Sequence, residues 1–292
     1  MFAYYFNKTL MHIFYGKVAL IDYLKSIKTN HSSIGFVPTM GAIHQGHLSL
    51  MQQSRQENEI TVVSIFVNPT QFNNPEDLAK YPRTLEEDIK KIRDLSPKII
   101  VFAPPIDDIY EGKPSSQLFD FDGLENLMEG KFRPGHFNGV GTIVKRLFEI
   151  VEPTNAYFGE KDFQQLQIVK KMVEKNNLNV NVKGCPIYRE ANHLAMSSRN
   201  ALLSPKEKEE ASLIYKTLLA AKAKFKKNSA ATVTKWVQKS FEKNPDFKLE
   251  YFQIADEATL LPCLRKNKNK NYRAFIAVFV NNIRLIDTIS LN

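Results

Sequence analysis

The sequence predicts an α/β protein with a Rossmann-like parallel sheet domain and a smaller C-terminal α+β domain. Over roughly the first two-thirds of the chain, short β-branched runs alternate with amphipathic helical stretches. That alternation is typical of a parallel sheet covered by helices on both faces. Beyond residue 200 the pattern changes to helices followed by strands. We therefore place the first domain at residues 1–187 and the second at residues 188–292.

The strands and helices of the first domain follow from hydrophobic periodicity. Helical spacing of apolar residues predicts helices over 85–95, 140–151 and 161–173. Thr84 and Glu87, at the start of the first of these, have the spacing of a capping box. The candidate strands are the runs 34–38, 59–68, 98–103, 155–159 and 179–184.

The second domain contains a strong helix-start signal. Ser204-Pro205-Lys206-Glu207 has proline at the first helical position and glutamate in the capping-box position. It predicts a long helix to about Lys227, followed by a second helix through Trp236. Three strands should end the chain, over 249–256, 274–280 and 283–291, with an Asn281-Asn282 turn between the last two.

Composition excludes several classes of protein. The 292 residues are 43% hydrophobic and 24% charged, which indicates a packed globular chain. No apolar run is long enough for a membrane span.

The apolar N-terminus has neither a basic leader nor a small-residue cleavage site, so we expect no signal peptide. Met11 is an alternative start to Met1. Cys185 and Cys263 lack metal-ligand spacing, so we expect no disulfide and a reducing, cytoplasmic compartment.

The net charge of +9 is spread along the chain. A nucleic-acid-binding module remains one interpretation of that charge, with salt-sensitive binding as its test. Anionic small substrates explain the charge equally well, and they fit the motifs better. We therefore expect no nucleic-acid partner and no membrane partner.

The strongest local signal is PTMGAIHQGH, at residues 38–47, directly after the first predicted strand. His44 and His47 form an HxGH arrangement that opens a helix. A helix N-terminus attracts phosphates, and two imidazoles there can donate hydrogen bonds to phosphoryl oxygens. Gly41 permits a sharp turn, and Gly46 permits a nucleotide to approach the backbone. The alternative is that one histidine caps the helix and the other packs in the core.

Three further polar clusters each follow a predicted strand. Asn68 and Gln71 lie in NPTQ, Lys161 in GEKD (159–162) with Gln165 one turn later, and Arg199 in AMSSRN (195–200). Ordinary alternatives are an Asn-Pro turn, a charged helix start and a serine cap, respectively. Because the carboxyl ends of parallel strands share one edge of a sheet, the four clusters are expected to converge on one pocket.

In this order, the segments resemble the pantothenate synthetases of bacteria and plants. The matching blocks cover most of residues 12–205 and are PTMGAIHQGH, SIFVNPTQFNNPEDLAKYPRTLEED, MEGKFRPGHFNGVGTIVKRLF, FGEKDFQQL and MSSRNALLS. HxGH by itself is shared by the wider nucleotidylyltransferase and class I aminoacyl-tRNA synthetase superfamily. The resemblance implies a homodimeric ligase that uses ATP and Mg²⁺ to join pantoate to β-alanine through a pantoyl adenylate. Its first domain would bind ATP and pantoate, and its second would form a lid.

The resemblance also implies residue roles. The catalytic residues would be His47 as proton donor, His44 beside it, Lys161 and Arg199. Asn68, Gln71 and Gln165 would bind the acid substrates, with Gln71 contacting both pantoate and β-alanine, and Asp88 would hold Mg²⁺. The implied ATP-binding residues are Met40, Gly41, Ala42, Ile43, His44, Gln45, Gly46, His47, Gly159, Glu160, Lys161, Asp162, Tyr188, Met196, Ser197, Ser198 and Arg199.

The sequence departs from the family pattern at two places. Asn192-His193 stand where Asp-Gly is usual, which puts the shape of the second ATP loop in doubt. Gln45 replaces a commoner acidic residue, and we expect the change to be tolerated because its side chain need not face the ligand. A nucleotidylyltransferase that transfers AMP and stops is the nearest alternative function, and detection of an amide product would separate the two.

Overall fold

The computed structural model describes residues 10–29 and 32–292 and contains two sheets within them. We expected no signal peptide at the N-terminus, and residues 1–9 of that segment lie outside the described residues. The strands of the first sheet are β1 (Ile13–Phe14), β2 (Ile34–Thr39), β3 (Ile60–Ile65), β4 (Ile100–Phe102), β5 (Asn155–Gly159) and β6 (Asn181–Cys185). The strands of the second are β7 (Phe247–Asp256), β8 (Tyr272–Val280) and β9 (Ile283–Ser290).

Eleven helices lie in the described part of the chain. In order they are α1 (Lys17–Ile27), α2 (Gln45–Glu57), α3 (Pro75–Lys80), α4 (Leu85–Leu95), α5 (Ile106–Tyr110), α6 (Met128–Phe132), α7 (His136–Val151), α8 (Phe163–Lys175), α9 (Pro205–Glu210), α10 (Ser212–Phe225) and α11 (Ala230–Glu242). In residues 10–29 and 32–292, no helix combines the length and the apolar character that a membrane span needs.

The first sheet is parallel throughout, with strand order β1-β4-β3-β2-β5-β6. The order reverses at β2, whose neighbours are β3 on one side and β5 on the other. Ligands of such sheets bind in the crevice at that switch point, outside the carboxyl ends of the strands. The α/β prediction is confirmed, and the five predicted strands of this sheet are present. The short edge strand β1 was not predicted.

Apolar side chains from both faces of the first sheet build its core. Phe36, Phe102 and Tyr157 are among its fully buried residues. A separate core forms between α10, α11 and the antiparallel sheet β7-β8-β9, around Leu218, Val237 and Ile276. The boundary at 187/188 stays a prediction, although the parallel sheet ends at Cys185 and the second core includes residues from Leu194 onward.

Helix details correct three predictions. The capping box at Ser204 and Glu207 is present, but the predicted long helix is interrupted at Ala211, between α9 and α10. The next helix continues past Trp236 to Glu242. At α4 the predicted capping box is wrong: the Thr84 side chain makes no cap bond and donates instead to Asp88 Oδ1 at 3.2 Å.

Candidate active site

The four polar clusters line one cavity of about 230 Å³ at the carboxyl ends of β2, β3 and β5. The crevice lies where the strand order reverses, and the segments that follow the strands form its walls. The predicted site residues in its wall are Met40, His44, Gly46, His47, Asn68, Gln71, Gly159, Lys161, Asp162, Gln165, Tyr188, Met196, Ser197, Ser198 and Arg199. The predicted residues outside its wall are Gly41, Ala42, Ile43, Gln45, Glu160 and Asp88. Gln45 is exposed.

The loop before α2 is held in shape by Asp88. Gly41 and Ala42 adopt left-handed conformations with φ of +84° and +49°, which produces the sharp turn. The backbone N–H of Ala42 donates to Asp88 Oδ2 at 2.9 Å, and that of Ile43 to Asp88 Oδ1 at 2.7 Å. Lys91, one turn further along α4, donates to the Ile43 carbonyl at 2.9 Å. α4 therefore fixes the loop that carries the histidines.

The chain itself occupies both carboxylate oxygens of Asp88, the expected metal ligand. The residue is 0% exposed, both carboxylate oxygens accept hydrogen bonds from the chain, and it does not line the cavity. Among the described residues, no group of three or more His, Cys, Asp or Glu side chains is placed to hold a metal ion. Asp88 is thus a positioning residue for the loop, and its expected role as a ligand of Mg²⁺ stays a prediction.

His44 and His47 stack with ring centroids 3.9 Å apart. Neither Nδ1 has a hydrogen-bond partner within the described chain, although both atoms are buried. Burial, then the positive charge of Lys161, lowers the pKa of His44 to about 4. Burial and the neighbouring His44 lower the pKa of His47 well below its ordinary value. Both imidazoles are therefore neutral near pH 7 and can donate N–H hydrogen bonds without carrying charge.

Gly46 has a reason to be glycine that the sequence did not suggest. A Cβ at this position would lie 2.9 Å from Cε1 of His44 and 3.0 Å from its Nδ1. The absence of a side chain therefore makes room for the imidazole ring, and the approach of a nucleotide to this backbone stays a prediction. His44 is the N-cap residue of α2 but makes no side-chain cap bond, so the alternative of a capping histidine is not observed.

A hydrogen-bond chain orients the two amides after β3. Asn68 is 1% exposed, and its Nδ2 donates to the Gly139 carbonyl at 3.1 Å and to Gln71 Oε1 at 3.0 Å. Tyr110 donates its hydroxyl to Asn68 Oδ1. Because the Gly139 carbonyl can only accept a hydrogen bond, it determines the orientation of the Asn68 amide. Gln71 therefore points its Oε1 towards Asn68 and its Nε2 towards Met40 Sδ, 2.9 Å away. The donor end of Gln71 therefore lies beside Met40 in the cavity wall.

The turn after β5 carries charge to the cavity wall. Lys161 Nζ lies 3.1 Å from Asp162 Oδ2. Glu160 faces away and accepts a bond from Arg273 of β8 at 3.1 Å, which joins this turn to the second sheet. Arg273 also stacks over the Phe163 ring at 4.0 Å. The C-terminal part of the chain thus fixes the position of Lys161.

The loop at 195–200 combines a helix cap with a cationic side chain. Ser197 caps a short 3₁₀ helix by accepting the Arg199 N–H at 3.3 Å, so the serine-cap alternative holds for this residue. Ser198 lies 3.3 Å from the Tyr81 hydroxyl, and Arg199 lies 3.0 Å from Asp77 of α3. Tyr188 is 44% exposed, and its carbonyl accepts the Met196 N–H at 3.0 Å.

The unusual Asn192-His193 turn keeps a glycine-like backbone. His193 has φ of +69°, in the left-handed region that glycine adopts freely. Asn192 stabilises the turn, because its Oδ1 accepts the Leu194 N–H at 3.1 Å and its Nδ2 donates to the Lys208 carbonyl at 2.8 Å. The turn therefore forms without a glycine.

Sequence reasoning missed several polar residues near the site. Tyr110 orients Asn68, and Tyr81 lies in the cavity wall. His136 is 5% exposed, and its Nδ1 donates to the Gln71 carbonyl at 2.8 Å. Arg133 lies beside it, with NH1 3.2 Å from His136 Nε2. The RPGH run at 133–136 was the available signal: it contains a cation and a histidine, but it follows no predicted strand.

The fold and the site together define a class of protein. A parallel sheet with a Rossmann strand order, an HxGH segment at its switch point and a second polar loop facing the first characterise nucleotide-binding α/β enzymes of the HxGH superfamily.

The chain belongs to the pantoate-beta-alanine ligase family, whose model matches residues 12–290. It is an enzyme of that family, which joins pantoate to β-alanine. Among its relatives, the pantothenate synthetase of Flavobacterium psychrophilum is 66% identical over 96% of this chain and 100% of its own length. That of Christiangramia forsetii is 52% identical over 97% of this chain and 100% of its own length.

Two solved structures are similar over most of the chain. The pantothenate synthetase of Thermus thermophilus aligns with a TM-score of 0.86 and 38% identity, covering 96% of this chain and 99% of that one. The pantoate-beta-alanine ligase of Francisella tularensis, solved with βγ-ATP and β-alanine, aligns with a TM-score of 0.77 and 34% identity over 96% and 98% of the two chains.

Proposed function

We propose that the cavity binds ATP and pantoate, forms pantoyl adenylate, and passes it to β-alanine to give pantothenate, AMP and pyrophosphate. The observation that carries this proposal is the convergence of the four polar segments on a single cavity in a chain of the pantoate-beta-alanine ligase family. The Francisella tularensis relative was solved with an ATP compound and β-alanine, which supports the same substrates here.

The first step is an in-line displacement at the α-phosphorus of ATP. A pantoate carboxylate oxygen forms the new P–O bond, and the bond to the bridging oxygen of pyrophosphate breaks. His44, His47 and the N-terminus of α2 donate hydrogen bonds to the phosphoryl oxygens, and Lys161 and Arg199 offset the charge of the leaving group. Because both imidazoles are neutral, they act as positioned donors and require no prior protonation.

The second step breaks the acyl-phosphate bond. The unprotonated amine of β-alanine attacks the acyl carbonyl, the nitrogen loses a proton, and AMP leaves. Asn68, Gln71 and Gln165 hold the acyl group in place, with the Gln71 amide donating into the cavity. No covalent bond to the enzyme is needed, so positioning supplies most of the rate enhancement.

Several finer expectations belong to the same proposal. ATP contacts would come from Met40 to His47, Gly159 to Asp162, Tyr188 and Met196 to Arg199. Magnesium is expected to accompany ATP, and the two backbone N–H groups bound to Asp88 favour a positioning role for this residue over a metal-binding one. The enzyme would be a cytoplasmic homodimer, since the family resemblance implies a dimer and the two cysteines are free.

The test is release of AMP and pyrophosphate from ATP by the purified protein. We expect pyrophosphate exchange into ATP to require pantoate alone, and net AMP release to require both pantoate and β-alanine, with pantothenate as the product. ATP consumption without either dependence would contradict the substrate assignment. Transfer of AMP without an amide product would favour a nucleotidylyltransferase of the same superfamily.

A further inference from the structure

The loop that carries Arg199 is one arm of a small hairpin. Arg189 and Ala195 face each other across an antiparallel bridge, and the Met196 N–H donates to the Tyr188 carbonyl at 3.0 Å. Because successive residues of an extended arm point to opposite sides, Tyr188 lies in the wall of the active-site cavity and Arg189 does not. Whatever holds the first arm of the hairpin therefore also holds the arm that leads to Arg199.

The first arm is anchored to the second sheet by an ion pair. Arg189 NH1 donates to Asp287 Oδ2 at 2.7 Å, and NH2 donates to Asp287 Oδ1 at 3.0 Å. Asp287 lies on β9 with its side chain 2% exposed, and the side chain of Arg189 is 15% exposed. Two parallel hydrogen bonds between planar groups define one relative orientation, so the pair sets the direction of the arm as well as its distance from β9.

Further contacts fix both members of this pair. The guanidinium of Arg189 lies over the Tyr215 ring of α10, with Cζ 3.7 Å from the ring centroid. Its NH1 also donates to the His193 carbonyl at 3.1 Å, in the turn of the hairpin. On the other side, the Thr288 N–H donates to Asp287 Oδ1 at 2.7 Å. The pair is therefore a well-defined link between the hairpin and the second domain.

A second link joins the far end of the loop to the same arm. Asn200 is 3% exposed, and its Nδ2 donates to Glu190 Oε1 at 2.7 Å and to the Ala195 carbonyl at 3.1 Å. Glu190 is the neighbour of Arg189 in the chain. The residues between these links, 197–199, are therefore held at both ends by the arm that Asp287 anchors.

Stability alone is a weak reason for a buried ion pair at this position. The cost of removing two charges from water offsets most of their attraction, so apolar side chains of similar size often stabilise a fold equally well. What the ion pair adds is a fixed direction. The second sheet holds the turn of Lys161 in the same way, because Arg273 of β8 donates to Glu160 at 3.1 Å.

We propose that the Arg189–Asp287 pair positions the loop of Ser197, Ser198 and Arg199 for adenylate formation. This assignment rests on the proposed function. Arg189 is a positioning residue, since it lies outside the cavity wall and acts through side chains that line it. Because pyrophosphate leaves in the first step, the pair matters for that step and not for the attack of β-alanine in the second.

The experiment compares Arg189→Gln with the wild type in the two half-reactions. We expect kcat for pantoate-dependent pyrophosphate exchange to fall by ~10- to 100-fold, the range for a misplacement of about 1 Å, with the KM for pantoate near its wild-type value. Formation of pantothenate from prepared pantoyl adenylate and β-alanine should keep the wild-type rate, which also reports that the variant is folded. Asp287→Asn should give the same separation of the two steps. Arg265→Gln, at an exposed position of the second domain, is the control.

A double variant separates positioning from a general structural effect. If Arg189 acts through Arg199, Arg189→Gln should slow exchange far less in an Arg199→Gln background than in the wild type. Arg189→Lys keeps the charge but cannot form both parallel bonds, so it should recover only part of the rate. Additive losses would overturn the assignment, as would equal losses in the two half-reactions. If the wild type shows no pantoate-dependent exchange, the proposed function itself fails, which is a different result from a failure at Arg189 alone.

Discussion

The imidazole rings of His44 and His47 stack with their centroids 3.9 Å apart and their planes inclined by 20°. Two charged imidazoles would repel at this separation. Burial lowers the pKa of both side chains, and the positive charge of Lys161 lowers it further. The pair is stable as two neutral donors at the N-terminus of α2.

Replacement of His47 by alanine should slow adenylate formation. One positioned donor to a developing oxyanion contributes about 10²- to 10³-fold in rate. We expect a loss of that order in pantoate-dependent pyrophosphate exchange, with His12→Ala, at an exposed site, as the control. Because both histidines are neutral near pH 7, they should contribute no ionisation to the pH–rate profile between about pH 6.5 and 8. Near-normal exchange in His47→Ala would refute its role.

The stability of the fold should fall as the pH falls below about 6.5. Burial, then the charge of Arg133, lowers the pKa of His136 to about 3. In the unfolded chain a histidine titrates near ~6.5, so the unfolded state binds more protons between these values. The contribution of His136 to the free energy of unfolding is complete above the pKa that it has in the unfolded chain. It is lost as the pH falls towards the pKa that it has in the folded protein. At about pH 5 the loss amounts to about 2 kcal/mol for this residue.

Urea unfolding at about pH 7.5 and about pH 5 measures that loss. In His136→Gln the difference between the two pH values should shrink by about 2 kcal/mol. A matched change at His12 provides the comparison. An equal pH dependence in wild type and His136→Gln would show that His136 is not buried in its neutral form.

Asp88→Asn should disturb the loop before α2. An amide can accept only one of the two backbone N–H groups and turns its own N–H₂ towards the other, so one donor is left unsatisfied. We expect a loss of about 1–3 kcal/mol in unfolding free energy and a raised KM for ATP. The apparent affinity for Mg²⁺, measured at saturating ATP, should not change.

Glu87→Gln is the matched control, since Glu87 is exposed on the same turn of α4. We expect it to leave both stability and ATP affinity near the wild-type values. A fall in Mg²⁺ affinity in Asp88→Asn, with normal stability, would instead support direct coordination of the metal.

Tyr110→Phe should weaken pantoate binding from outside the cavity wall. The change removes the hydroxyl that donates to Asn68 and leaves the ring stacked with Arg146, 5.0 Å from its centroid. Because Asn68 then loses part of its orientation, the donor of Gln71 is held less firmly. We expect the KM for pantoate to rise by about 5-fold, the value of one net hydrogen bond, while the KM for ATP stays constant. Tyr15→Phe, at an exposed tyrosine, is the control, and equal changes in both KM values would contradict a specific effect.

The sequence by itself determined the fold class and the segments of the main site. Five of the parallel strands were predicted, and so were the four polar clusters after strands, because hydrophobic periodicity is a local property. Parallel strands place their carboxyl ends at one edge, so the convergence of PTMGAIHQGH, NPTQ, GEKD and AMSSRN needed no knowledge of the side chains.

Only the tertiary structure decided what the side chains around these segments do. Asp88 points at the Ala42 and Ile43 backbone, Tyr110 reaches Asn68 across 42 positions, and Arg284 binds Glu129, which would otherwise pair with Arg133, across 155. Each of these contacts joins residues on different elements, and each is selected by the packing of those elements against one another. A sequence pattern reports which face of an element is buried, but the partner of a buried polar group depends on which atoms the fold brings within hydrogen-bond distance.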